Sequence, residues 1–229
     1  MSLLISNFLI SLLASSCDCD NIPVALTEIP NPNCKQRIGQ IQRFWFARGN
    51  QIIWDSGTPA NNVPITITGD LIEEAAGWAV LFAAANDTKV VKTPLTGGNA
   101  GISGGEPITE GGGGDDTLNG VTLINGFSPS AVTMDFIDLT AATIEAMRKL
   151  FCEKNLEVYM INNEGKILHK DVLGIKTGFP IIGEVVLSPK QNTGITVRDR
   201  NTMTFSIGTG WDENLAFATP EAGFNTLTV

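Results

Sequence analysis

The chain reads as a mainly β protein of the α+β class: an antiparallel β-sandwich or barrel with a flanking helix, a long glycine-rich loop and N- and C-terminal arms. Three observations predict this. Short apolar runs with period-two alternation recur through residues 37–210, punctuated by turn residues. One segment, Thr140–Glu153, has clean helical spacing. The strands are interrupted at Thr96–Gly120 by TGGNAGISGGEPITEGGGGDDTLNG. That stretch offers almost no apolar side chain to bury, and glycine loses more backbone freedom on folding than any other residue. It is expected to be a long loop projecting from a sheet, of the kind that becomes ordered against a neighbouring subunit.

Residues 1–36 are expected to form a docking arm and a proline-rich linker. In MSLLISNFLISLLASSCDCD the polar Ser6, Asn7 and Ser11 share one half of a helical wheel. Leu4, Phe8 and Leu12 lie mainly on the other half, which predicts an amphipathic helix that docks. The alternative is a lipoprotein signal cleaved before Cys17. Against it, no Lys or Arg precedes the apolar run, and Ala14 stands where a bulky aliphatic residue is preferred. The run is too short to span a bilayer, which takes about 20 apolar residues, and no membrane contact is expected. Pro23, Pro30 and Pro32 make the linker extended.

The body then runs in order. Arg37–Ala47 (RIGQIQRFWFA) reads as a strand rich in aromatic and β-branched residues. Gly49–Asn50 can turn the chain, Gln51–Trp54 can return, and Val63–Thr68 alternates with Pro64 pushing it to an edge. Asp70 with Glu73 makes a capping-box pattern ahead of the helical LIEEAAGWAVLFAAA. Lys89–Thr93 is a strand ended by Pro94. After the glycine-rich loop come strands at Val121–Asn125 and Ala131–Leu139, the second with Val132, Met134 and Phe136 on one face. In Thr140–Glu153, Thr140 is the N-cap, Ile144, Met147, Leu150 and Phe151 form the buried stripe, Cys152 is a partly buried thiol, and Asn155 follows the end. Leu156–Ile161 and Lys166–His169 form a hairpin about Asn162–Gly165. Ile181–Leu187 and Thr202–Ile207 are further strands, giving about nine in all with two helices. Trp211–Val229 has little periodicity and reads as a C-terminal tail.

Composition narrows the function. The 229 residues carry 24 acidic and 15 basic side chains, a formal charge of −9. Sequence-specific nucleic-acid binding needs clustered Lys and Arg, and the basic residues here form no run. The single histidine, His169, reads as an exposed or edge residue and leaves no multi-histidine metal site. No GxSxG elbow accompanies it, and GGGGDD lacks the GK[ST] end of a phosphate loop. Asp115 and Asp116 read as solvated. Asp135 and Asp138 flank a strand end with no assignable partner carboxylate. Cys17 and Cys19 form a CxC pair tighter than the usual zinc-site spacing, with Cys34 distant from it; free thiols, or a disulfide from Cys34 to Cys17 or Cys19, both fit. No catalytic residue, metal or cofactor is expected. The four tryptophans read as core and interface anchors. The expected subunit contacts are Leu4, Phe8 and Leu12 in the arm, Ile102, Pro107 and Ile108 in the loop, and Trp211, Phe217 and Phe224 in the tail.

Several segments carry a resemblance when taken in order: CDCDNIPVALTEIPNPNCKQRIGQIQRFWFAR, GWAVLFAAANDTKVVKTP, TLNGVTLINGFSPSAVTMDFIDLTAATIEAMRKLFCEKNLEVYMINNEGKI and DRNTMTFSIGTGWDENL. Together they resemble virion structural proteins of tailed phages of Bacteroidetes hosts, most of all major tail tube proteins, over most of the chain after Cys17. The resemblance implies a subunit made in the host cytoplasm that forms hexameric rings. The rings stack into a tail tube, contact other tail proteins, and pass double-stranded DNA without sequence-specific binding. The long amphipathic arm departs from the simplest tube proteins. It leaves a capsid-decorating or neck role as the alternative, and a bacterial surface lipoprotein as a second.

Overall fold

The computed structural model describes residues 38–49, 52–55, 66–68, 72–85, 88–110, 123–192, 194 and 198–229. The expected arm with Leu4, Phe8 and Leu12, the cysteines Cys17, Cys19 and Cys34, and Asp115 and Asp116 lie outside the described residues. Strands β1 (Ile41–Arg48), β2 (Ile53–Asp55) and β3 (Thr66–Thr68) precede helix α1 (Ala75–Ala83). β4 (Val91–Lys92), β5 (Ala100–Ser103), β6 (Pro107–Glu110), β7 (Leu123–Phe127) and β8 (Ser130–Ile137) lead to helix α2 (Ala141–Arg148). A 3-10 turn, Lys149–Cys152, follows. β9 (Leu156–Asn162), β10 (Ile167–Val172), β11 (Ile175–Thr177), β12 (Phe179–Leu187), β13 (Arg200–Ile207) and β14 (Leu215–Ala218) complete the chain.

Twelve of these strands form one sheet, antiparallel except for β2 with β3. The main path runs β3-β2-β11-β10-β9-β12-β13-β8-β5, so its ends stay apart and no barrel closes. The sheet folds over on itself at β12. Phe179 and Pro180 pair with Val158 and Glu157 of β9, and the residues from Ile181 onward pair with β13 instead. Gly178 permits this crossing: a Cβ there would lie 2.9 Å from the Glu157 Cβ and 3.2 Å from the Val158 nitrogen. The half containing β12, β13, β8 and β5 therefore faces the half containing β1, β9 and β10 across a shared core. Mainly β, antiparallel, sandwich-like and flanked by a helix is what the sequence predicts.

The sheet half built on β9 is buried on both faces. All seven residues of β9 are buried. Alternation sends Val158 and Met160 into the core between the sheet halves, with Phe44 and Phe46 of β1, Met134 and Phe205. Tyr159 and Ile161 enter a second core beneath α1, with Trp45, Trp54, Trp78 and Phe224. Trp45 and Trp54 each approach Trp78, with ring centroids 4.6 and 4.7 Å apart. Three of the four tryptophans, dispersed in sequence, thus converge in one cluster. Burying each such side chain stabilises by roughly 1.5–3 kcal/mol or more, so this second core is a main source of stability.

Four expectations are corrected. The capping box at Asp70 does not start α1. The helix begins at Ala75, its N-cap Glu74 makes no side-chain cap bond, and the Ala75 N–H donates to Glu221 Oε1 at 3.0 Å. A tertiary carboxylate caps the helix in place of a local one. The stretch 96–110 is not structureless: β5 pairs with β8, and β6 pairs with β7. Within α2 the stripe holds for Met147 and Leu150, but Phe151 is 48% exposed. The helix tightens to three residues per turn at Lys149, which rotates Phe151 off the buried face. Cys152 is exposed for the same reason. Finally, Trp211–Val229 is no free tail. β14 pairs with β10, the Arg43 guanidinium donates to the Leu227 and Val229 carbonyls at 3.2 and 2.6 Å, and Phe224 is 8% exposed.

The tail's role in stability is testable. Phe224→Ala should destabilise the chain by about 3 kcal/mol, by loss of buried aromatic area and the cavity left behind. A urea-unfolding midpoint unchanged from wild type would show that the segment does not anchor the second core.

Candidate interaction surface

The titratable side chains singled out in the sequence are occupied structurally. Asp135 is buried, accepts from Thr202 Oγ1 at 2.7 Å and pairs with Arg200 at 3.4 Å. Asp138 pairs with Arg198 at 3.1 Å. Among the described residues no group of three or more His, Cys, Asp and Glu side chains is placed to hold a metal ion. Tyr159 is fully buried, and desolvation pushes its phenol pKa up, which suits packing. His169, expected at the surface, is 2% exposed. It sits in β10, which pairs with β9 and with β14, Ala216 of β14 lying opposite His169.

The surface is more informative. β6 and β7 pair only with each other and stand apart from the twelve-stranded sheet. Pro107 opposes Phe127 and Ile108 opposes Gly126, with a register shift between Ile108 and Thr109. The ribbon is rooted where Ser128 N–H donates to the Glu106 carbonyl and Glu106 N–H to Ser128 Oγ, both at 2.8 Å. Gly105 is needed there, because a Cβ would overlap the Ser128 carbonyl. The ribbon exposes its large apolar side chains: Ile108 at 52%, Ile124 at 60% and Phe127 at 55%. A two-stranded ribbon is marginal in water on its own, and an exposed apolar ribbon edge is a template for another chain. The exposed Glu106 stands at its root, and the sequence from Thr93 to Met147 that contains the ribbon holds no Lys or Arg.

At the ribbon's root is an open cleft of about 440 Å³. Phe127 and Trp211 wall it, Gly104 and Ser130 line it, and Asp212 and Glu213 edge it. Trp211 is half-buried and packs edge-on against Phe179, with centroids 5.8 Å apart. The β10–β11 turn gives a second apolar protrusion. Leu173, with φ of +56°, is 98% exposed.

The expected contact residues separate on this surface. Ile102 and Trp211 meet in the cleft, and Pro107 and Ile108 lie on the ribbon above it. Phe217 is half-buried against the core between the sheet halves. Phe224 is buried within its own chain and has no face left for a neighbour. Phe127, Ile124, Leu173 and Phe151 are apolar surface residues that the sequence reading missed. The signal available for Phe127 was its place in NGFSP, just before turn residues.

Compared with known proteins, the chain matches no family model and no curated protein sequence.

Burial of His169 has a consequence for pH. Its pKa is lowered from 6.5, first by desolvation and further by Lys176 nearby, against the raising influence of the Ile167 carbonyl, Asp171 and Glu73. The unfolded chain therefore binds the proton first, so stability is whole above pH 6.5 and falls as pH drops below it. Melting temperature should decline from pH 7 to about 5.5, before most carboxylates titrate. His169→Gln should flatten that slope even if it lowers stability at pH 7. Parallel slopes for variant and wild type would remove His169 as the cause.

Proposed function

We propose that the chain is a self-assembling structural subunit of a phage virion, building stacked rings that form a tail tube through which DNA passes. The observation that carries this reading is the β6–β7 ribbon with Ile108, Ile124 and Phe127 exposed. Such a ribbon gains stability by packing on a neighbouring subunit, and a contact between two different patches builds rings when the rotation closes.

A second feature supports it. The outer face of the sheet half containing β12, β13 and β8 carries the uncharged Ala131, Thr133, Ile182, Val186, Thr204 and Ser206, with Glu184 beside them and Arg200 paired with Asp135 at 3.4 Å toward one end. Arg200, the one cation on these three strands, is already ion-paired, so the face offers phosphates little neutralisation and suits a wall that DNA passes without being held. The net charge of −9 acts in the same direction. The subunit is made in the host cytoplasm and resides in the virion tail, in contact with copies of itself and other tail proteins. Among the described residues no helix is long and apolar enough to cross a membrane.

Negative-stain images of the full-length protein over a concentration series test the proposal. Stacked rings or hollow tubes are expected. Dispersed small particles that bind capsid shells would instead assign a capsid-decorating or neck role. The ribbon is tested by the double variant Ile108→Asp, Phe127→Asp. Both side chains are more than half exposed, so unfolding stability should change by only about 0.5 kcal/mol per site while assembly is lost. Assembly at the wild-type concentration would exclude the ribbon as a subunit contact.

A further inference from the structure

Charge is sorted across the surface in a way that the ribbon alone does not use. The cleft beside it has aromatic walls, Phe127 and Trp211, and two exposed carboxylate residues, Asp212 and Glu213, with no Lys or Arg in its lining. Elsewhere, the end of α2 shows the complementary pattern. Phe151 projects from the 3-10 turn at 48% exposure. Around it lie Arg148, Lys149 and Lys154, all exposed. Lys149 pairs with Glu145 at 3.4 Å, both about three-quarters exposed, in a contact of the class that contributes little. Arg148 and Lys154 make no ion pair among the described residues.

We propose that the acidic, aromatic-walled cleft receives the basic end of α2, with Phe151 as its apolar knob, from a second copy of the chain. The inference rests on the self-assembly reading above and names two surfaces that meet. Phe151 does not line its own chain's cleft, so the joint is heterologous: one patch of a copy meets a different patch of the next, as ring closure requires. The cleft volume of about 440 Å³ falls within the size range of binding pockets and admits an aromatic ring. The aromatic ring supplies burial at the centre, and the Arg148 and Lys154 cations face Asp212 and Glu213 at the rim. That division, apolar core and charged rim, gives the joint its affinity through Phe151 and its orientation through the charges. Guanidinium or ammonium groups can also settle against the Trp211 face.

The experiment is a charge swap on the full-length chain. The knob variant is Arg148→Glu, Lys154→Glu; the cleft variant is Asp212→Lys, Glu213→Lys. All four positions are exposed, and circular dichroism with thermal melting verifies that each variant folds as wild type. Self-association is read by sedimentation velocity over a concentration series at low and high salt. Each variant alone should raise the apparent dissociation constant roughly ten-fold or more. An equimolar mixture should recover association, because each copy's intact patch meets an intact patch and each reversed patch meets a reversed one. Phe151→Ser should weaken association with little change in salt dependence.

Wild-type association by either variant alone, or no recovery in the mixture, would overturn the proposed joint while leaving the virion reading intact. A wild-type chain that stays monomeric at all concentrations, and forms no tubes, would overturn both. Binding of a saccharide panel that the cleft variant loses, with self-association unaffected, would make the cleft a ligand site and overturn the joint.

Discussion

Strand β9 has no solvent side, and the rest of the structure follows from that. Each of its faces has to be covered, and the chain covers them with different material. The folded-over half of its own sheet covers one, and helix α1 with the C-terminal segment covers the other. β1, paired along β9 from Ile41 to Arg48, shares the condition. Its run FWFA is therefore read in alternation, Phe44 and Phe46 to one core, Trp45 and Ala47 to the other. The C-terminal segment is in turn obligatory. Glu221 satisfies the first amide of α1, and the Thr226 hydroxyl donates to the Gly165 carbonyl at 2.6 Å. Both bonds hold the segment over the second core. A weakly patterned terminus is thus as much a part of the core as a strand.

Elements whose information is local were legible in the sequence. The alternation of Val132, Met134 and Phe136, and of Met203, Phe205 and Ile207, places those residues inward as read, and they pair across β8 and β13 in continuous register. Thr140 caps α2 by accepting from the Thr143 amide at 3.2 Å. Elements settled by distant partners were not legible. Asp70 and Glu73 form a good capping pattern, yet Glu73 pairs instead with Lys176 at 3.2 Å and the cap arrives from Glu221. His169 looks like a strand-end residue until β14, beyond three intervening strands in sequence, pairs beside it with Ala216 opposite His169. The glycine-rich stretch carries too few apolar residues to announce strands. Ile102 nevertheless packs against the core from β5, because β8 offers an open edge for it to pair with.

The exposed and half-buried apolar residues of the ribbon and cleft were partly legible for the same reason. Ile102, Pro107, Ile108 and Trp211 stand out as rare apolar residues in polar segments. Phe151 does not: at helical spacing it belongs to the buried stripe. Only the tightening of the last turn at Lys149, a change of half a residue or so per turn, moves it to the surface.

The distribution of charge bears on the self-association proposed above. A net charge of −9 repels copies at long range, and this repulsion is screened beyond about 8–10 Å at physiological salt. Inside that distance the local pattern governs. A segment of the chain from Thr93 to Met147 without a single cation, followed at once by Arg148 and Lys149, sets opposite signs on neighbouring stretches of sequence. In the fold the cations of the second stretch gather at the end of α2, while exposed carboxylates stand at Glu106 by the ribbon's root and at Asp212 and Glu213 on the cleft beside it. Each patch carries exposed aromatic or aliphatic side chains at its centre, so contact removes apolar area from water as well as pairing charge. Neither patch matches itself, since like charges would meet. In the joint we propose, symmetric pairing would be disfavoured, and head-to-tail contact would offset the long-range repulsion at both ends of every copy.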